Sequence, residues 1–144
     1  MSDAYPLTDQ RRVEIVDHAK RYLDSDGADG HLLNGLTHLV LRTTGRRSGE
    51  PRDVPLIYAQ DDDRYLIVGS LGGYDKAPLW YLNLRADPSV TVQVGADRFT
   101  ARARTATAQE RPRLWQIVCA GFPRYEEYQR STEREIPVVV LERQ

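Results

Sequence analysis

The period of the hydrophobic positions changes along the chain. Over residues 9–24, DQRRVEIVDHAKRYLD, Val13, Val16, Ala19 and Leu23 recur at helical spacing, with Ile15 and Tyr22 beside them and charges opposite. That spacing predicts an amphipathic helix packed on a domain. SDGADGHLLNG then reads as a glycine-rich connector. From Leu36 the composition turns to strand formers in LTHLVLRTT and DVPLIYAQ and, after a DDD turn, in RYLIVGS. GGYDKAP is a loop, and Pro78 suits the first turn of a helix, PLWYLNLRA, that Pro88 stops. SVTVQV and RFTARARTA alternate on either side of GAD and predict a hairpin. Thr107 to Glu110 has capping-box spacing, yet Pro112 would sit fifth in a helix begun there. The helix RLWQIVCAGF is therefore predicted from near Arg111. RYEEYQRST adds another helical turn or two. IPVVVLE is a closing strand, whose Pro137 predicts a start at an edge or bulge.

The pattern yields about six strands with helices at the front, middle and back. Short strands on tight turns predict an α+β fold, with a mainly antiparallel sheet closed or half closed into a barrel. Strand and helix do not alternate regularly, so a doubly wound sheet is excluded. A length of 144 residues suits one domain, 1–144, with 1–29 as its helical front and connector.

Charge narrows the function. A net charge of −1 makes the whole molecule no magnet for nucleic acid. Eighteen of the 20 basic residues are arginine, lysine standing only at Lys20 and Lys76. Codon bias in a GC-rich genome would account for that excess, so position rather than number must identify a site. The lone cysteine, Cys119, excludes an internal disulfide and a cysteine metal cage, and its apolar run reads as core. His18, His31 and His38 lack metal-ligand spacing, so no metal site is expected. The first residues, MSDAYPLTDQ, have neither a basic start nor an apolar stretch of the kind a signal peptide needs. No window approaches a membrane span. The expectation is a cytoplasmic protein; contact of the front helix with the inner face of the membrane stays open, its mixed charges arguing against it.

Three clusters carry candidate chemistry. The first is the turn in LRTTGRRSGEPRDVPLIY, where Arg46, Arg47 and Arg52 surround two glycines and a proline. Such a turn exposes backbone N–H groups, and guanidinium forks match phosphate or carboxylate oxygens. The same residues also suit a solvated hairpin tip with weak surface ion pairs. Neither a Walker A loop nor a GxGxxG fingerprint is present. The second is VGSLGGYDKAPLWYLNL, in which Trp80, Asn83 and Leu84 share a helical face beside a glycine loop. They could wall a flat heterocycle, or Trp80 could be core and Asn83 a cap. The third is FPRYEEYQRS, which places Tyr125 and Tyr128 on one face of a short helix among polar residues.

Together, LRTTGRRSGEPRDVPLIY, DRYLIVGSLGG, PLWYLNLRADPSVTVQVG and REIPVVVLE resemble, in order, the deazaflavin-dependent nitroreductase and quinone reductase family of actinobacteria. The likeness runs from about Gly30 to the C-terminus. It implies a split β-barrel, of the kind that binds FMN, using coenzyme F420, an 8-hydroxy-5-deazaflavin. It implies that Arg46, Arg47 and Ser48, then Arg52, Asp53, Val54, Pro55, Leu56 and Ile57, hold the cofactor and its anionic tail. Val68, Gly69, Ser70 and Leu71, with Leu79, Trp80, Tyr81, Leu82 and Asn83, would line the deazaflavin. Tyr125, with Tyr128, would close over the ring where the acceptor stacks. The chain departs from the family at Leu71, where a lysine is common, and at Tyr74-Asp75-Lys76, where a proline-containing linker is common.

The activity so implied is hydride transfer from F420H2 to planar, electron-poor acceptors such as quinones, with nitro compounds as a further class. Ser70, Tyr125 or Tyr128 would stabilise the charge that develops on the acceptor oxygen. The alternatives are a non-catalytic F420 carrier or storage protein and an FMN- or haem-binding split barrel. Monomer and homodimer are both open.

Overall fold

The computed structural model describes residues 7–144. The reading of the extreme N-terminus, residues 1–6, lies outside the described residues. The chain runs α1 (Asp9–Asp24), β1 (Leu32–Leu33), β2 (Leu36–Thr44), β3 (Pro51–Ile57), β4 (Ala59–Asp61), β5 (Arg64–Val68), a 3₁₀ turn (Leu71–Gly73), α2 (Leu79–Ala86), β6 (Ser89–Val94), β7 (Asp97–Thr105), α3 (Arg111–Gly121), α4 (Arg124–Arg130) and β8 (Val138–Arg143). The described residues thus hold eight strands where the pattern suggested six. The short pair at Leu32–Leu33 hides in the connector, and the apolar run DVPLIYAQ breaks at Tyr58 into β3 and β4.

That break closes the fold. The sheet order is β1-β2-β6-β7-β8-β5-β4, and β3 pairs with β2. Every pairing is antiparallel. Because β3 and β4 are halves of one bent segment, the two ends of the sheet are joined by chain and the sheet curls into a barrel. β3 pairs on one side only, from Thr44↔Pro51 to His38↔Ile57. Pro55, opposite Val40, is tolerated there because an edge strand has ladder donors to spare. The β6–β7 hairpin has a two-residue loop, Gly95-Ala96, with Gly95 at φ 62, as a type II′ turn requires.

Alternation along β7 puts Phe99, Ala101 and Ala103 inside the barrel with Leu39, Leu41, Ile67, Val92 and Leu141. Tyr81 and Leu84 of α2 plug one end of that core. Helices α3 and α4 cover the outer face of β5 and β8, where Leu114, Val118, Cys119 and Tyr125 meet Leu66, Val68, Val138 and Val140. Burial pushes the Cys119 thiol up from its ordinary pKa, in keeping with an inert core residue. The Thr107–Glu110 box forms reciprocally: Glu110 N donates to Thr107 Oγ1 (3.2 Å) and Thr107 N to Glu110 Oε1 (2.9 Å). β8 lies between β5 and β7 rather than at an edge. Its proline is harmless because pairing begins one residue later, at Val138.

α1 has its expected length but buries only part of the expected stripe. Val13 and Val16 are each 68% exposed, while His18, Ala19 and Tyr22 face the barrel. Tyr22 sets this rotation. Its ring is fully buried, and its hydroxyl donates to His38 O (2.9 Å) and accepts from Gly95 N (2.7 Å). His18 and His38 pack edge to face at 4.9 Å, and His31 Nε2 lies 3.0 Å from the Tyr58 hydroxyl. Histidines scattered in sequence thus gather under one helix. Among the described residues no group of three His, Cys, Asp or Glu is arranged to hold a metal, and no helix is long and apolar enough to cross a membrane.

Candidate functional site

The arginine turn, Gly45 to Glu50, closes the β2–β3 hairpin. Gly45 N donates to Glu50 O and Gly49 N to Gly45 O, both at 2.8 Å. A Cβ at Gly45 would lie 2.6 Å from Ser48 Oγ and push that side chain out of its place in the turn, and Gly49 supplies the positive φ of 74. Ser48 Oγ accepts from Glu50 N (3.1 Å) and from Arg52 Nη2 (3.3 Å), drawing Arg52 toward the turn. From across the barrel mouth, buried Asn83 of α2 grips the same turn. Its Oδ1 accepts from Arg46 N and Arg46 Nη1, each at 3.2 Å, and its Nδ2 donates to Thr43 Oγ1 at 3.3 Å. The Asn83 amide therefore acts on the turn.

This turn gathers unpaired positive charge, whereas many arginines elsewhere are paired with acids. Asp53 takes Arg42 in a two-pronged pair (2.7 and 2.8 Å), Asp61 takes Arg64 and Arg113, and Arg104 bridges Glu110 and Glu142. Arg113 and then Arg64 hold the Asp61 carboxyl well below the usual carboxylate range. Among the described residues Arg46, Arg47 and Arg52 form no pair with any carboxylate, Glu50 included. All three are exposed. An anion would meet three uncompensated guanidinium forks there.

The far end of β3 borders a cavity lined by both polar and apolar groups. The cavity, of about 130 Å³, opens between the bend at Tyr58, strand β5 and the end of α3. Ile57, Ala59, Leu66, Val68, Val118 and Tyr125 contribute to its wall. Tyr125 is 6% exposed, and burial drives its phenol well above the ordinary tyrosine pKa. Tyr22, Tyr58 and Tyr81 use their hydroxyls in internal contacts, whereas that of Tyr125 makes no hydrogen bond with the described residues. Five residue steps separate Arg52 from Ile57, about 16–17 Å of extended strand. The cationic turn and the cavity thus sit at opposite ends of β3, which among the described residues pairs on one side only.

The glycine loop joins these parts. Leu71 has φ 45, an uncommon left-handed conformation for leucine, followed by Gly72 at φ 63 and Gly73 at φ 85. Ser131 Oγ donates to Gly73 O (3.2 Å), and a Cβ at Gly73 would meet Tyr128 Cα at 3.0 Å. Arg134 donates to Ser70 O (2.9 Å) and Tyr74 O (2.8 Å), stapling both ends of the loop. The loop is therefore seated on the tyrosine helix, with Phe122 between Tyr125 and Tyr128 at 4.8 and 6.2 Å.

The remaining sequence-derived residues divide by position. Val54, Leu56 and Trp80 pack on the barrel core, and buried Tyr81 bonds Thr105 Oγ1 at 2.7 Å. Leu79 and Leu82 are exposed on α2, half-buried Pro55 lies on the edge strand, and Ser70 and Gly69 are buried where β5 ends. Sequence reasoning did not find the stapling role of Arg134 or the bonds from α4 to the loop. These contacts join residues about sixty apart, and nothing local marks them.

The residues present fit a long ligand with an anionic tail and a flat head, as F420 is. Comparison with known proteins agrees. The profile of the F420H(2)-dependent quinone reductase family matches residues 14–143. A Mycobacterium tuberculosis F420H(2)-dependent quinone reductase is 44% identical over 130 residues, covering 88% of this chain and 87% of that protein. A solved F420-H2 dependent reductase, FDR-A, superposes with a TM-score of 0.69 at 39% identity, over 73% of this chain and 93% of that one. A structure described as a domain-swapped dimer gives a TM-score of 0.72 at 35% identity, over 94% of this chain and 100% of that one. The chain belongs to the F420H(2)-dependent quinone reductase family.

Proposed function

We propose that this chain binds coenzyme F420 along β3 and catalyses reduction of small planar quinone-type acceptors. Unpaired cations and a phenol-bearing cavity at the two ends of β3 carry this reading. Arg46, Arg47 and Arg52 take the phosphate and carboxylate tail, with Ser48 and the turn's N–H groups between them. The edge of β3 that pairs with no described strand offers backbone donors and acceptors along the cofactor's length. Val68 to Leu71 and the exposed face of α2 confine the ring.

When bound, the reduced coenzyme supplies a hydride, and the protein contributes orientation and electrostatics. The strained Leu71 loop, held by Arg134 and Ser131, sets the distance between ring and acceptor, the largest expected gain. Burial keeps the Tyr125 phenol protonated through neutral pH. It is therefore an O–H donor, without a hydrogen-bond partner among the described residues, toward the acceptor oxygen that gains charge. Ser70 and Tyr128 flank the same region from the loop and from α4. The dimer described for the relative at 35% identity supports a homodimer here, which light scattering on purified protein tests.

The activity test is anaerobic mixing of the protein with reduced F420 and menadione, followed through cofactor oxidation, with a nitroaromatic acceptor in parallel. Protein-dependent oxidation with the quinone is expected. Tight binding with no oxidation across a quinone panel would leave a cofactor carrier instead.

A further inference from the structure

A second cavity, about 230 Å³, lies behind the glycine loop. It is on the other side of α2 from the arginine turn: Tyr81 lines it, whereas Asn83 grips the turn, and these two residues point about 200° apart around the helix. Its wall is chemically divided. Ala77, Pro137 and Val138 are apolar, while Arg111 and Arg134 bring two guanidinium groups.

Neither guanidinium is neutralised by a tight ion pair. Arg134 spends Nε and Nη2 on the carbonyls of Tyr74 and Ser70. Arg111 Nη2 donates to Ile136 O (2.7 Å) and Gln129 Oε1 (3.3 Å). Its Nε is buried without a hydrogen-bond partner. The nearest acid, Glu135 Oε1, stands 3.6 Å from that nitrogen on a side chain that is 76% exposed. Asp75 is the carboxylate acting on Arg134. A third cation, Arg85, reaches the Tyr81 hydroxyl at 3.3 Å. An unpartnered guanidinium N–H beside a partly apolar cavity is costly unless an oxygen anion completes it.

We propose that this cavity binds a small organic carboxylate, separate from the cofactor groove: Arg111 and Arg134 take the carboxylate, and the Ala77–Pro137–Val138 wall takes the apolar body. In the free protein Glu135 is a loose stand-in for the ligand's carboxylate.

Benzoate is the probe, with benzyl alcohol as its neutral counterpart, titrated into the full chain by calorimetry in phosphate-free buffer. Benzoate should bind saturably and benzyl alcohol should not. Glu135→Gln, a substitution on an exposed side chain, should tighten benzoate about two- to fivefold by removing the competitor. Arg134→Gln and Arg111→Gln should each weaken it about tenfold or more. Ala106→Leu, which fills the cavity and leaves both arginines in place, should abolish binding even if an arginine variant misfolds. Arg47→Ala should leave it unchanged. Absent saturable binding, equal binding of the alcohol, or loss in Arg47→Ala but not in Ala106→Leu would overturn the proposal. F420 titrated into the Ala106→Leu and Glu135→Gln samples reports separately on the cofactor groove; Arg134→Gln is left out of that control because the side chain also staples the glycine loop.

Discussion

Replacing Asn83 by alanine tests whether cofactor affinity depends on the order of the arginine turn. The side chain is 5% exposed and makes three hydrogen bonds, two of 3.2 Å to Arg46 and one of 3.3 Å to Thr43. Bonds of that length contribute about 0.5–1 kcal/mol each, so the variant should lose about 2 kcal/mol of stability. For a chain of this size that lowers Tm by about 5 °C. The functional effect is separate. A released turn must be ordered again when the tail docks, at about 1–2 kcal/mol per residue fixed. If one residue's ordering is at stake, the Kd for F420 should rise about 5- to 30-fold. Asn83→Asp separates clamp from charge. Its carboxylate can still accept from Arg46, and the Thr43 hydroxyl can turn to donate, so most stability stays; the added negative charge beside Arg46 should still weaken F420. Thermal melts and fluorescence titrations of F420 on the three proteins read both quantities. A fall in Tm with an unchanged Kd in Asn83→Ala would show that the turn's order does not matter to binding.

Other outcomes follow from the same contacts. Arg47→Ala and Arg52→Ala should each raise the Kd for F420 about tenfold at low salt, and by less at high salt, as titration at two ionic strengths will show. Tyr125→Phe removes a hydroxyl that has no partner with the described residues, so Tm should move by no more than about 2 °C while turnover falls more than affinity. The raised Tyr125 pKa favours the neutral phenol, so its contribution to stability is intact below about pH 10 and is lost as pH rises beyond it. Denaturant titrations in that alkaline range should show a shallower decline for Tyr125→Phe. Asp61, held low by Arg113 and Arg64, contributes stability above the ordinary carboxylate pKa of about 4 that is lost as pH falls through its lower folded value. Asp61→Asn should therefore be less stable at pH 7 and lose less on acidification.

The elements were legible where local pattern decides them. The Gly95-Ala96 hairpin, the Thr107–Glu110 box and the lengths of α1 and α4 follow from residues within a few positions of one another. Long-range contacts decide what was misread. Val13 and Val16 promised the buried stripe of α1, but Tyr22, bonded to strands β2 and β6–β7, rotates the helix to bury His18 instead. The bend at Tyr58 is invisible in the run DVPLIYAQ because no glycine or proline stands at it, and only pairing with β2 on one side and β5 on the other demands it. At the site, the cationic turn was readable because glycines and arginines are adjacent in sequence. Asn83's grip on it, and the staple from Arg134, were not, because each joins residues brought together by the barrel.

The central claim is that three unpaired guanidinium groups hold the polyanionic end of the coenzyme. Calorimetric titration of F420 into the wild-type chain and an Arg46→Ala/Arg47→Ala/Arg52→Ala variant, in dilute and in concentrated salt, tests it most directly. The account predicts a complex whose affinity falls with salt, weakened about 100-fold or more in a folded triple variant that has lost most of that salt dependence. No complex with the wild-type chain, or an equal affinity and salt response in both proteins, would contradict it.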